Sequence, residues 1–256
     1  PRLVSSAASD VYKRQIRDCI APDRNPKVPS IKLPEGSIDT HVHIFESQYP
    51  LFEGRGYNPP DSTLDDLKHL HSQLGVSRVV YTQPSPYGVD NSAILKGMKV
   101  MNDETPGRAR GVCAIKMDVS DDFLEDLDKQ GIKGVRLNMD NIGGMPIGLD
   151  EIPTLEARIK DLGWHVEYLF PGKDIVELAP IFKKSSVPIS IAHFAYQPAT
   201  NGINSEGFKT LLDLVRDGNT WIKISGANRV SETDLPPYDD VMPMARALIE
   251  ANSDNI

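Results

Sequence analysis

Apolar residues fall into two alternating textures along the chain. Seven short runs are rich in Val, Ile and aromatic residues, at 37–45, 78–83, 109–116, 132–139, 165–170, 187–194 and 220–225. Several are nearly continuous, the pattern of parallel strands covered on their outer face by helices. Between them lie stretches with helical spacing. The first opens at Thr63, with Asp66 three residues on, and ends at Gly75, so it carries both a capping signal and a stop signal. The others span 91–102, 120–130, 153–162, 174–185, 206–217 and 238–251, and Gly131, Gly163 and Gly218 close three of them. Strict alternation of strand and helix predicts a parallel sheet with right-handed crossovers. Seven such units are followed by an Asn- and Asp-rich turn ending at Ile256, which reads as the opening of one more strand. The predicted class is α/β: a distorted (β/α)8 TIM barrel, truncated before strand eight. An open doubly wound sheet is the alternative.

Length and composition agree with that reading. A barrel of this kind needs roughly 250 residues, and the chain has 256, of which 39% are hydrophobic and 25% charged. Such values exclude a disordered, collagen-like or coiled-coil chain. No apolar run approaches the roughly 18 residues of a membrane span. The net charge of −8 argues against a nucleic-acid partner. It leaves room for an anionic substrate, because a few inward arginines can reverse the field locally. Cys19 and Cys113 are far apart and lack metal spacing, so a reducing, cytoplasmic setting is expected. Residues 1–15 lack the apolar core of a signal peptide and resemble a translated sequencing adapter, so they read as a non-native leader. Residues 16–36 form a proline-rich lead-in, and 37–256 the barrel. Oligomeric state is open.

The strongest chemical signal is Asp39-Thr-His41-Val-His43-Ile-Phe45. Residues two apart on a strand share a face, so His41 and His43 point together into the interior of the first barrel strand, near the end where barrel active sites are built. A second pair, His69 and His71, falls in a helical stretch, where positions two apart do not face each other; both read as solvated. His193 tops the sixth strand and His165 begins the fifth, so the first is a candidate and the second structural. Arg136, inside the apolar run at 132–139, needs something anionic opposite it, either a structural ion pair or a substrate carboxylate. Arg229 follows the seventh strand, where a polar ligand would dock. Ser85 follows the second strand without a nucleophile elbow, which suits hydrogen bonding. Tyr168 and Tyr57 could touch ligand.

These residues together resemble the amidohydrolase superfamily, and within it the branch of 2-pyrone-4,6-dicarboxylate lactonase and related sugar-acid lactonases. The resemblance covers about residues 30–256. It implies a distorted (β/α)8 barrel that hydrolyses a lactone ester of a small anionic substrate without a metal. His41, His43 and His193 then surround the reacting carbonyl, while Ser85, Tyr168, Arg136 and Arg229 hold substrate. An aspartate after strand eight activates water, at a position beyond Ile256. The lactonase pattern has a further arginine six residues past the position of Arg136; here Ile142 stands there, which points equally to a monocarboxylate or a sugar lactone. The alternatives on the same barrel are a zinc-dependent decarboxylase and a lactone isomerase. With a divalent metal such as zinc, His41 and His43 become ligands, since three protein ligands and an open position for water are the usual catalytic arrangement.

Overall fold

A computed structural model of the chain describes residues 16–139 and 146–256. Ile142 and the leader at 1–15 lie outside the described residues. Seven strands follow one another in a single sheet: β1 (Ile38–Val42), β2 (Arg78–Thr82), β3 (Ala109–Cys113), β4 (Ile132–Asn138), β5 (His165–Leu169), β6 (Ile189–Ile191) and β7 (Thr220–Ile222). Spatial order equals chain order, and every neighbouring pair is parallel. A helix follows each strand: α1 (Leu64–Leu74), α2 (Ser92–Glu104), α3 (Asp121–Lys129), α4 (Ile152–Ile159), α5 (Ile175–Phe182), α6 (Glu206–Arg216) and α7 (Met242–Ala251). This is the (β/α) barrel of the sequence reading, curled through seven strands. No ladder joins β1 to β7 among the described residues. Instead the Lys223 ammonium, just past β7, donates to the Thr40 carbonyl of β1 at 3.0 Å and ties the two ends together.

Local chemistry explains the element boundaries. The Thr63 hydroxyl accepts from the Asp66 N–H at 3.1 Å, and the Asp66 carboxylate accepts from the Thr63 N–H at 3.0 Å, completing the capping box of α1. Such a cap contributes about 1 kcal/mol. Gly75 ends the helix at φ 77°, a left-handed conformation that a side chain would strain. The core lies between sheet and helices. Tyr81 of β2, Met98 and Met101 of α2, Trp164 just before β5, and Phe208 and Leu211 of α6 are all buried there.

Two sequence readings change. His71 is not solvated: it is buried under α1, with Nε2 3.2 Å from Asp39 Oδ2, while His69 is exposed as expected. The helix turns about 200° between the two, which sends one ring outward and the other onto the sheet. Tyr168 does not enter the barrel interior. It points outward against Phe182 of α5, ring centroids 4.7 Å apart, because its neighbour Glu167 takes the inward position and strand side chains alternate. Arg17–Asp18 runs parallel to Tyr57–Asn58, and the Cys19 N–H donates to the Asn58 carbonyl at 3.0 Å, pinning the lead-in to the loop after β1.

Candidate active site

The interior faces of β1, β4 and β5, with the loops after β2, β6 and β7, converge at one end of the barrel. In β1 the pairing register slips between Asp39 and Val42, placing one extra residue on this strand. Bulges of this kind re-aim side chains next to active sites. Here His41 and His43 both stay inside, ring centroids 4.9 Å apart and nearly perpendicular. His193 arrives from the turn after β6, 5.0 Å from His41.

That turn is unusual. His193, Phe194, Ala195 and Tyr196 all have φ between 49° and 54°. Left-handed non-glycine residues cost roughly 1–2 kcal/mol each, so surrounding contacts must hold them. The Phe194 N–H donates to the Lys223 carbonyl, and the His193 ring meets the Ser225 hydroxyl at 2.9 Å through Nδ1. Gly226 allows this close fit, since a Cβ there would stand 3.1 Å from His193 Nδ1 and 3.0 Å from Arg229 Cδ.

All three imidazoles are held neutral. Burial lowers the His41 pKa well below its ordinary value, and Lys223 and then His43 push the same way. Burial and then Arg136 bring His43 down to about 3, and burial and then Arg229 bring His193 to about 4. The His43 Nδ1–H donates to the Thr82 carbonyl at 2.7 Å.

Beneath the imidazoles runs a buried charge network. Arg136 of β4 stands beside Glu167 of β5 in register, with Nε 3.5 Å from Oε1. Its Nη1 donates to the Gln83 carbonyl at 2.8 Å. The other Glu167 oxygen takes a short hydrogen bond from Lys223, whose ammonium also reaches His41 Nδ1 at 3.2 Å. Burial alone would raise the Glu167 carboxyl, but Lys223 and Arg136 hold it below the usual carboxylate range.

Around the mouth, burial raises the Tyr57 phenol while its hydrogen bond to Ser85 opposes the shift. Ser85 is buried, opening the turn after β2. Arg229 is exposed and donates to the Tyr196 hydroxyl at 3.1 Å. Of the residues singled out from sequence, His41, His43, His193 and Arg136 therefore stand together, with Ser85, Tyr57 and Arg229 at the rim. Tyr168 is elsewhere. His165 lies at the opposite end of β5 against Gly134, where a Cβ would come within 2.7 Å of its ring. Glu167, Lys223 and Ser225 were missed. Glu167 carries the same signal as Arg136, a charge inside an apolar run, at 165–170, that needs a partner.

The arrangement offers hydrogen-bond donors and two cations, Arg136 and Lys223, around one buried carboxylate, with Arg229 at the rim, a locally positive pocket in a chain of net charge −8. It does not present a ready metal cradle. No group of three His, Cys, Asp or Glu side chains is disposed to hold an ion among the described residues, and a cation, the Lys223 ammonium, already faces His41 Nδ1.

The amidohydrolase (Amidohydro_2) family pattern matches residues 38–256. The chain belongs to the amidohydrolase family. It is similar to a 2-pyrone-4,6-dicarboxylate hydrolase of Comamonas testosteroni, 33% identical over 242 residues that cover 91% of this chain and 78% of the relative. It is 32% identical to a 4-sulfomuconolactone hydrolase of Hydrogenophaga intermedia, over 93% of this chain and 78% of that one. A crystal structure of an Agrobacterium tumefaciens protein in its apo form superposes with a TM-score of 0.79 at 26% identity, covering 89% of this chain and 82% of that chain. This amidohydrolase is therefore an enzyme with the family's barrel.

Proposed function

We propose that this amidohydrolase opens the ester of a small anionic lactone without a metal ion. The observation that carries the reading is the convergence of three neutral imidazoles on one point, with Arg136 and Arg229 beside them. Water adds to the lactone carbonyl, negative charge gathers on its oxygen, and the ring C–O bond then breaks; of the two water protons one ends on the departing ring oxygen and one is released, leaving a carboxylate and a hydroxyl. Imidazole N–H groups aimed at that oxygen stabilise the charge as it develops. The guanidinium groups match a carboxylate or sulfonate on the substrate in bidentate fashion. The relatives named above act on lactones that carry such anions, which supports the substrate class. Glu167 is committed to Lys223 and Arg136, so it balances charge instead of accepting a proton.

Metal-free chemistry is favoured by the ammonium beside His41, which opposes a second cation there. A cytoplasmic setting suits two free thiols, one of them, Cys113, buried with its pKa pushed up to about 12. No helix among the described residues is long and apolar enough to cross a membrane.

The test is an ultraviolet assay of ring opening with 2-pyrone-4,6-dicarboxylate and a panel of sugar-acid lactones, with and without chelator. Turnover of an anionic lactone that resists chelator is expected, with KM raised at least tenfold in Arg136→Met. Activity lost to chelator and restored by Zn²⁺, or an unchanged KM in the variant, would overturn the reading.

A further inference from the structure

His41 and His43 share a strand face, yet their surroundings treat the two rings differently. His43 Nδ1 faces a backbone carbonyl, which can only accept, so that nitrogen carries the proton and Nε2 keeps its lone pair. His41 Nδ1 faces an ammonium at 3.2 Å, which can only donate. That nitrogen must therefore hold the lone pair, and the proton of the neutral ring sits on Nε2. His41 Nε2 is buried and has no partner. An unmet buried donor is costly unless an acceptor arrives.

We infer that Lys223, held in place by Glu167 and the Thr40 carbonyl, is a positioning residue that fixes His41 as an Nε2–H donor while the Thr82 carbonyl fixes His43 as an Nε2 acceptor. The pair is thereby an asymmetric one: one nitrogen ready for a carbonyl oxygen, the other for a hydroxyl or water hydrogen. A divalent cation would need the His41 Nε2 lone pair, which this tautomer removes. The inference deepens the lactonase reading and rests on it for its catalytic consequence, but the tautomers themselves do not depend on any substrate.

A competing arrangement is drawn by the same residues. Glu167 Oε1 lacks a hydrogen-bond partner and lies 3.7 Å from His41 Nδ1. If Nδ1 carried the proton it could turn to that oxygen. Lys223 is the nearer of the two and already satisfies the other carboxylate oxygen, so the donor from Lys223 decides.

Long-range ¹H–¹⁵N correlation of the imidazole nitrogens at neutral pH tests this on the ligand-free chain. The expected result is an unprotonated Nδ1 on His41 and a protonated Nδ1 on His43. In Lys223→Met the His41 proton should move to Nδ1, toward Glu167, and kcat should fall about 10²-fold with KM little changed, as when one oxyanion donor is lost. Lys223→Arg, which also donates, should restore both the His41 pattern and most of kcat. The ring signals also report whether each variant is folded. A protonated Nδ1 on His41 in the wild-type chain overturns the inference whatever the variants do. So does a His41 pattern unchanged in a folded Lys223→Met. Correct tautomers with no lactone turnover would instead leave this inference standing and sink the lactonase reading.

Discussion

The chain contains the spacing His-x-His twice, and the two copies have opposite fates. On β1, period two and the bulge place His41 and His43 side by side in the interior, 4.9 Å apart. On α1, the same spacing leaves His69 in solvent and sends His71 to the sheet alone. A two-residue spacing has no chemical meaning until the backbone period is known. The helical copy is nonetheless not idle. His71 Nε2 lies 3.2 Å from Asp39 Oδ2, and Asp39 Oδ1 accepts the His41 backbone N–H at 3.2 Å. The lone buried histidine thus props the strand position from which its counterpart works.

The comparison is broken most directly by removing one ring from each copy. His41→Asn should lower kcat about 10²–10³-fold on an anionic lactone, the loss of roughly 2.7–4 kcal/mol typical of one oxyanion donor. His69→Asn should leave kcat and KM within twofold of wild type. Steady-state kinetics on both variants decide the matter. Equal losses would mean that period is not what separates the two pairs.

His71 sets the next scale. His71→Phe keeps the packing volume but removes the contact to Asp39. Denaturant unfolding should show a loss of about 0.5–1.5 kcal/mol, the net contribution of one hydrogen bond whose remaining partner, Asp39, still reaches solvent, while kcat falls less than tenfold. A kcat loss matching that of His41→Asn would promote His71 from support of the strand to a part of the site.

The same contrast between period and surroundings explains what was legible from sequence. The strand–helix alternation, the capping box at Thr63 and Asp66, and the inward pair on β1 are local patterns, and each is present in the fold. Glu167 and Lys223 were invisible as partners because they are 56 positions apart, and Lys223 meets Thr40 across 183. Only the curl of the sheet brings those strands together. Tyr168 was misplaced by a single step of parity. The run at 165–170 is apolar enough on both faces that the pattern does not say which is inner, and a one-residue slip moves every side chain to the other face. The buried charge of Glu167 decides the phase, since a carboxylate facing α5 would have no cation to meet, whereas inside it meets two.

The buried imidazoles should also leave a mark on stability that depends on pH. His43 is held at about 3 and His193 at about 4, against an ordinary value of 6.5. Between those values and 6.5 the unfolded chain binds protons that the folded chain refuses. Stability from these groups is therefore complete above pH 6.5 and is lost as pH falls toward 4. Each such ring adds a slope of about 1.4 kcal/mol per pH unit inside the window. Glu167, whose carboxyl is held low, weakens the fold in the same direction but at more acid pH, so a single wild-type curve would not separate the two. Urea unfolding between pH 5 and 6 does, when wild type is compared with His43→Asn. The variant cannot take up the proton, so its stability should vary less steeply over that interval, by about 1.4 kcal/mol per unit. Parallel curves would show that His43 titrates alike in both states, which a ring buried inside the barrel beside Arg136 should not do.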